Sequence, residues 1–139
     1  MSRTRAETRA RARALQALYA CDMRGGMDLE READRLWADL DVAPTERERA
    51  TALVHAVASS HDAIDRTLTD VTTNWRLERL GAVERSVLRL GTAELLLGDT
   101  PVRVVLQEGV RLAERYGSAQ SARFVNGVLD AIARRMGRL

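Results

Sequence analysis

The sequence predicts an all-α fold of six to seven helices in two small packed bundles, and three observations predict it. Apolar residues recur at spacings of three and four, and no segment of any length alternates with a period of two. The composition favours Ala, Leu, Arg and Glu, all good helix formers, with only two prolines and few aromatics. The breaks between periodic stretches are short and carry turn residues, as at Gly25-Gly26, Asp41 to Pro44, Gly98 to Pro101 and Gly117. A chain of 139 residues fits one domain, 1–139. An N-terminal sub-bundle is expected over about 1–74 and a C-terminal one over about 75–139, divided in the polar stretch Thr69 to Asn74.

The first helix is expected from Arg3 to Met23. Leu15, Leu18 and Tyr19 fall on one narrow face, while Arg5, Arg9 and Arg13 line up roughly opposite with Gln16 beside them. Gly25-Gly26 ends it. Asp28 to Leu40 follows as a short amphipathic helix with Leu29, Ala33, Leu36, Trp37 and Leu40 on one side. Thr45 and Glu48 have capping-box spacing and predict the start of a third helix. Its stripe runs Ala50, Leu53, Val57, His61, Ile64, Leu68, with a bend near Ser59-Ser60 and His61 partly buried. A helix beginning at Gly81 or Ala82 points Val83, Val87, Leu88, Gly91 and Leu95 inward. Pro101 suits the first position of the next, which runs to Tyr116 and buries Val102, Val105, Leu106, Gly109, Leu112, Ala113 and Tyr116. Ser118 is expected to cap the last helix, with Phe124, Val125, Val128, Leu129, Ile132 and Met136 on its apolar stripe.

Composition excludes several classes of function. With a net charge of only +2, affinity for nucleic acid must come from local clustering of the 22 basic residues, all of them arginine. Cys21 is the sole cysteine, so no internal disulfide forms and a reducing, cytoplasmic setting is expected. Leu18-Tyr19-Ala20-Cys21 faintly resembles a lipoprotein cleavage site, but the stretch before it is too polar for a signal. No apolar run approaches the roughly 20 residues of a membrane span. His55 and His61 lack cysteine or patterned carboxylate neighbours, so no metal or cofactor is implied. There is no phosphate loop, GxSxG elbow or HExxH, and nothing specifies an enzyme.

Several polar features ask for an explanation. Aligned guanidinium groups suit phosphates, because each planar fork donates two hydrogen bonds to one phosphate, although such a stripe can also be a solvated face. Arg11 lies on the Leu15/Leu18 side, and Glu84 and Glu94 lie on the inward side of their helix. Glu7, four residues before Arg11, is one candidate partner for it. An internal ion pair of Arg11 with one of the inward acids is another, favoured for Glu94, while Glu84 either pairs in this way or serves a partner. Asn126-Gly127 sits inside the last helix, where Gly costs about 1 kcal/mol relative to Ala. Close packing of another helix or the approach of a ligand would explain it, the former being commoner. Phe124 either fills the core, which its position favours, or stacks on an RNA base.

Taken together these stretches resemble the NusB family of bacterial transcription antitermination factors. The matching residues are Arg11 with Gln16-Ala17-Leu18-Tyr19, Trp75-Arg76-Leu77-Glu78-Arg79-Leu80, Val83-Glu84-Arg85 and Val87-Leu88-Arg89-Leu90. Glu94-Leu95, Pro101, Glu108-Gly109-Val110 and Leu112-Ala113 follow, then Ser121 with the most specific block, Phe124-Val125-Asn126-Gly127-Val128-Leu129-Asp130. The resemblance implies a non-catalytic, all-helical protein that binds boxA-type single-stranded RNA of rRNA leaders. It also implies two partners, the ribosomal protein NusE and the RNA polymerase antitermination complex. Carried over by position, Arg5, Arg9, Arg11 and Arg13 with Gln16 would face RNA, helped by Gln120 and Phe124. Tyr19 and Glu84 would face the ribosomal protein. The chain departs from the family where Glu7 and Thr8 replace part of a denser basic cluster, and at Gln120, where an acid is common. Two other readings are an accessory RNA-binding domain of an RNA methyltransferase, which would need a downstream domain with a Gly-rich loop, and a helical adaptor that binds only protein.

Overall fold

In the computed structural model, the described residues 2–26, 28–72 and 79–139, with side chains from Arg5 onward, form seven helices and no strand. They are α1 (Ser2–Met23), α2 (Leu29–Asp39), α3 (Pro44–Ser59), α4 (His61–Val71), α5 (Ala82–Leu97), α6 (Val102–Tyr116) and α7 (Ala119–Arg135). The expected divide near 74 and the Trp75 to Glu78 part of its block fall outside the described residues. None of the described helices is long and apolar enough to cross a membrane.

The hub is α5. It packs against α1, α3, α4, α6 and α7, so one continuous core runs from Leu15 and Trp37 through Leu88 to Leu129 and Ile132. Nine of its 16 residues are buried, which is why its sequence is apolar nearly all round. Although α4 precedes the expected divide in sequence, it packs mainly on α5 and α7. Two glycines let α5, α6 and α7 approach. A Cβ at Gly91 or at Gly109 would stand 2.9 or 2.8 Å from Leu129 Cδ1, so Leu129 fills a notch that only glycine leaves open.

The turns follow local chemistry. Gly25 and Gly26 take φ of 97° and 76°, and Gly98 ends α5 at φ 76°, conformations that cost other residues more. Asp28 caps α2 by accepting from the Arg31 amide, and Ser118 caps α7 by accepting from the Ser121 amide. The expected capping box of Thr45 and Glu48 does not form. Pro44 already occupies the first turn, its φ preset and its missing N–H harmless there, so Ala43 is the cap and Thr45 lies inside the helix. The expected bend at Ser59-Ser60 is a full break that separates α3 from α4. Ile64 and Leu68 continue the core after it, but His61 opens α4 on the solvent side and is exposed, contrary to expectation. Pro101 stands one residue before α6, with its carbonyl accepting from the Val104 and Val105 amides.

Candidate nucleic-acid interface

The first helix is buried on more sides than its leucine face predicts. The small side chains Ala10, Ala14 and Ala17 are buried along with Leu15 and Leu18, and α1 is flanked by α2 and α3 as well as by α5. Ala12 and Cys21 are buried too. This leaves Arg5, Arg9, Tyr19 and the terminal Met23 as its exposed residues from Arg5 onward, with Arg13 and Gln16 half-buried between Arg9 and Tyr19.

Beneath the arginine face lies a polar knot. Arg11, 5% exposed, donates from Nε and Nη2 to the two carboxylate oxygens of Glu94 at 2.8 and 2.9 Å, and from Nη1 to Glu108 at 3.1 Å. Thr8 donates to the same Glu108 oxygen at 2.5 Å, and the Thr100 hydroxyl donates to Glu94 at 3.3 Å. Burial works against the charged guanidinium, but the bond and field of Glu94, with those of Glu108 and Glu7, outweigh it and raise the Arg11 pKa. Arg11 therefore belongs to the interior and presents no fork to a phosphate. The expected pair with Glu94 is present. The second acid, Glu108, was missed, although its spacing of +3 from Val105 and −4 from Leu112 puts it on the buried face of α6.

On the outer face, Arg9 and Arg13 converge on one acid from α3. Arg9 Nε donates to Glu46 Oε1 at 3.0 Å and Arg13 Nε to Glu46 Oε2 at 2.7 Å. Arg13 Nη1 also reaches Gln16 Oε1 at 3.3 Å, and Gln16 Nε2 reaches the Tyr116 hydroxyl at 3.4 Å. The backbone beneath is fixed as well, since the buried Trp37 indole donates to the Arg13 carbonyl at 3.2 Å. Glu46 carried no sequence signal, because its pairing is made through space between helices far apart in the chain. Arg5 is exposed one turn before Arg9.

Tyr116 ends α6, and α7 starts three residues later, so the Gln16–Tyr116 contact ties the arginine face to the beginning of α7. There Gln120 is exposed, while Phe124 is half-buried and packs against the core. Glu84, half-buried at the start of α5, accepts a short hydrogen bond from Ser121. It thereby fixes the first turn of α7, an internal pairing made with Ser121 and not with Arg11. Gly127 is exposed, and a Cβ built on it would meet nothing within 4 Å, so the close-packing explanation for this glycine fails. Tyr19, 41% exposed, borders an apolar cleft of about 460 Å³ lined by Leu15, Leu36, Leu40, Val83 and Tyr116. Among the described residues no cluster of His, Cys, Asp and Glu could hold a metal ion.

Comparison with known proteins agrees with this arrangement. Residues 8–134 match the model of the NusB family. A transcription antitermination protein NusB of Anaeromyxobacter dehalogenans is 46% identical over 133 residues, covering 94% of this chain and 92% of that protein. The solved structure of T. maritima NusB superposes with a TM-score of 0.84 at 33% identity, covering 92% of this chain and 90% of that one. A crystal structure of the antitermination factors NusB and NusE in complex with double-stranded RNA matches with a TM-score of 0.83 at 31% identity, over 97% of this chain and 99% of that one. With the family model spanning residues 8–134 and a 46% identical relative covering 94% of the chain, this protein belongs to the NusB family.

Proposed function

We propose that this chain is a non-catalytic antitermination factor that binds boxA-type single-stranded RNA of rRNA leaders together with the ribosomal protein NusE. It would act within the RNA polymerase antitermination complex, in the cytoplasm. The observation that carries the RNA reading is the exposed arginine face of α1, where Arg5 and Arg9 lie one turn apart and Arg13 and Gln16 continue toward Tyr116. Guanidinium groups in a row supply the phosphate contacts, and Gln120 and Phe124 at the start of α7 supply contacts to bases or sugars. Arg11 supports this face from below instead of touching RNA. The surface around Tyr19 and Glu84 is assigned to NusE, in keeping with the similar structure that holds NusB, NusE and RNA.

The test is binding of a labelled single-stranded boxA RNA across a range of salt, with and without NusE. Affinity should fall linearly in log salt. Because α1 borders both surfaces, bound NusE should tighten RNA, and RNA should tighten NusE by the same factor, about 5–150-fold. RNA affinities that are equal with and without NusE would reject the coupling. Binding of NusE with no RNA affinity at any salt would favour the protein-only adaptor.

A further inference from the structure

Glu46 poses a problem for any phosphate-binding reading of α1, since it puts a negative charge among the arginines that would meet a polyanion. Two features decide what it does there. Its side chain is 12% exposed, whereas that of Arg9 is 61% exposed, so the acid lies behind the guanidinium groups. It also takes only the Nε edge of each arginine, one oxygen apiece. A guanidinium carries five N–H donors. Both terminal nitrogens of Arg9 and the Nη2 of Arg13 lie outside these two bonds and outside the Arg13–Gln16 bond. With one acid and two arginines the group keeps a net positive charge.

From this geometry we infer that Glu46 is a positioning residue for RNA: it holds Arg9 and Arg13 as a fixed pair whose outer edges seat phosphates of one strand. The inference rests on the RNA reading above and extends it to a residue on α3. Long arginine side chains lose considerable freedom when they bind, and a carboxylate that has already fixed both removes part of that cost. The acid at the same time repels phosphate. It lies behind two guanidinium groups that outnumber it in charge, and Arg9 at least is far more exposed to the strand, so the repulsion is the smaller effect. The bond that Glu46 makes to each Nε does not compete with the outward edges.

The inference makes a prediction opposite in sign to simple charge counting. Glu46→Ala makes the surface more positive and should nonetheless weaken binding of labelled single-stranded boxA RNA, by about three- to tenfold at fixed salt. Glu46→Gln, which keeps the size and one acceptor, should fall between the two and carries the test if the alanine variant unfolds. In an Arg9→Ala/Arg13→Ala background the sign should reverse, since there is nothing left to position and Glu46→Ala then only removes repulsion. A purely structural role for Glu46 would not show that reversal. RNA binding that is tightened or unchanged in both Glu46 variants, with the arginines present, would overturn the inference and mark Glu46 as a competitor. Absence of RNA binding by the parent chain would instead overturn the RNA reading itself, and the inference with it.

Discussion

Arg11 and Glu94 form a two-pronged ion pair between α1 and α5, with both N···O distances below 3 Å and neither residue more than 5% exposed. The pair is not electrically closed, because Glu108 joins the same guanidinium and is itself 8% exposed. Removing Arg11 would leave the buried Glu94 with the Thr100 hydroxyl alone, and Glu108 with Thr8 and a 3.7 Å contact to the exposed Arg111. Arg11→Ala should therefore destabilise the fold by about 3–5 kcal/mol in urea unfolding. Arg11→Met alone should be nearly as costly, and it should recover much of the loss only when Glu94→Gln and Glu108→Gln are added together. A melting curve for Arg11→Ala that matches the parent would show that the knot contributes nothing to stability.

The exposed Arg5 and Arg9 should behave unlike Arg11 and like each other. Arg5→Ala and Arg9→Ala should each lower the salt slope of RNA binding by about 0.7, the value for one phosphate of a single strand, whatever the RNA sequence. Neither should change the melting temperature appreciably, because both side chains are exposed. An undiminished slope after removing both would place the RNA elsewhere.

Two glycines at helical positions should respond in opposite directions to the same methyl group. Gly127→Ala meets nothing within 4 Å and gains helix propensity, so it should stabilise the protein by up to about 1 kcal/mol. Gly109→Ala drives a Cβ to 2.8 Å from Cδ1 of the fully buried Leu129, which must shift within the core to admit it, and should cost about 1–3 kcal/mol. Denaturant midpoints of the two variants settle the matter. A loss of stability in Gly127→Ala would show that the space around it is not open.

Cys21 supplies a pH dependence. Burial, then the nearby Glu32, Asp22 and Asp28, raise its pKa in the folded chain. A raised folded pKa means that the folded state holds the proton more tightly, so this contribution is complete below the ordinary thiol pKa of about 8.5. It is lost as pH rises from there through the raised folded value. Stability of the parent should thus fall more steeply above about pH 8.5 than that of Cys21→Ala. Thiol reagents should label Cys21 only through opening of the fold. Rapid labelling of the native protein would contradict its burial.

How much of this was legible depends on whether the cause was local. Periodicity located the described helices, because each buries an apolar stripe that the sequence displays directly, but it ran α3 and α4 together as one bent helix. The Arg11–Glu94 pair was also readable, since a charge on an apolar face demands an opposite one nearby. Glu108 could have been read the same way from its place between Val105 and Leu112. The capping box failed to a stronger local signal, Pro44, one residue earlier. His61 was misplaced because the break at Ser60 makes it the first residue of α4, exposed at the end of the stripe that Ile64 and Leu68 continue. Glu46, by contrast, is an ordinary surface acid in its own helix and acquires meaning only when α3 is laid against α1. The exposure of Gly127 likewise depends on what other helices leave uncovered.

The position of α5 has a consequence for how the molecule opens. A helix that touches five others cannot come loose while any large part of the fold stays together. Amide protons along Leu88 to Leu95 should meet solvent only when the whole chain unfolds, whereas those of α2, held mainly by α1 and α3, should exchange through local fraying. Deuterium uptake in the middle of α5 thus measures global stability. Uptake at the two ends of α1 measures how firmly the arginine face is held.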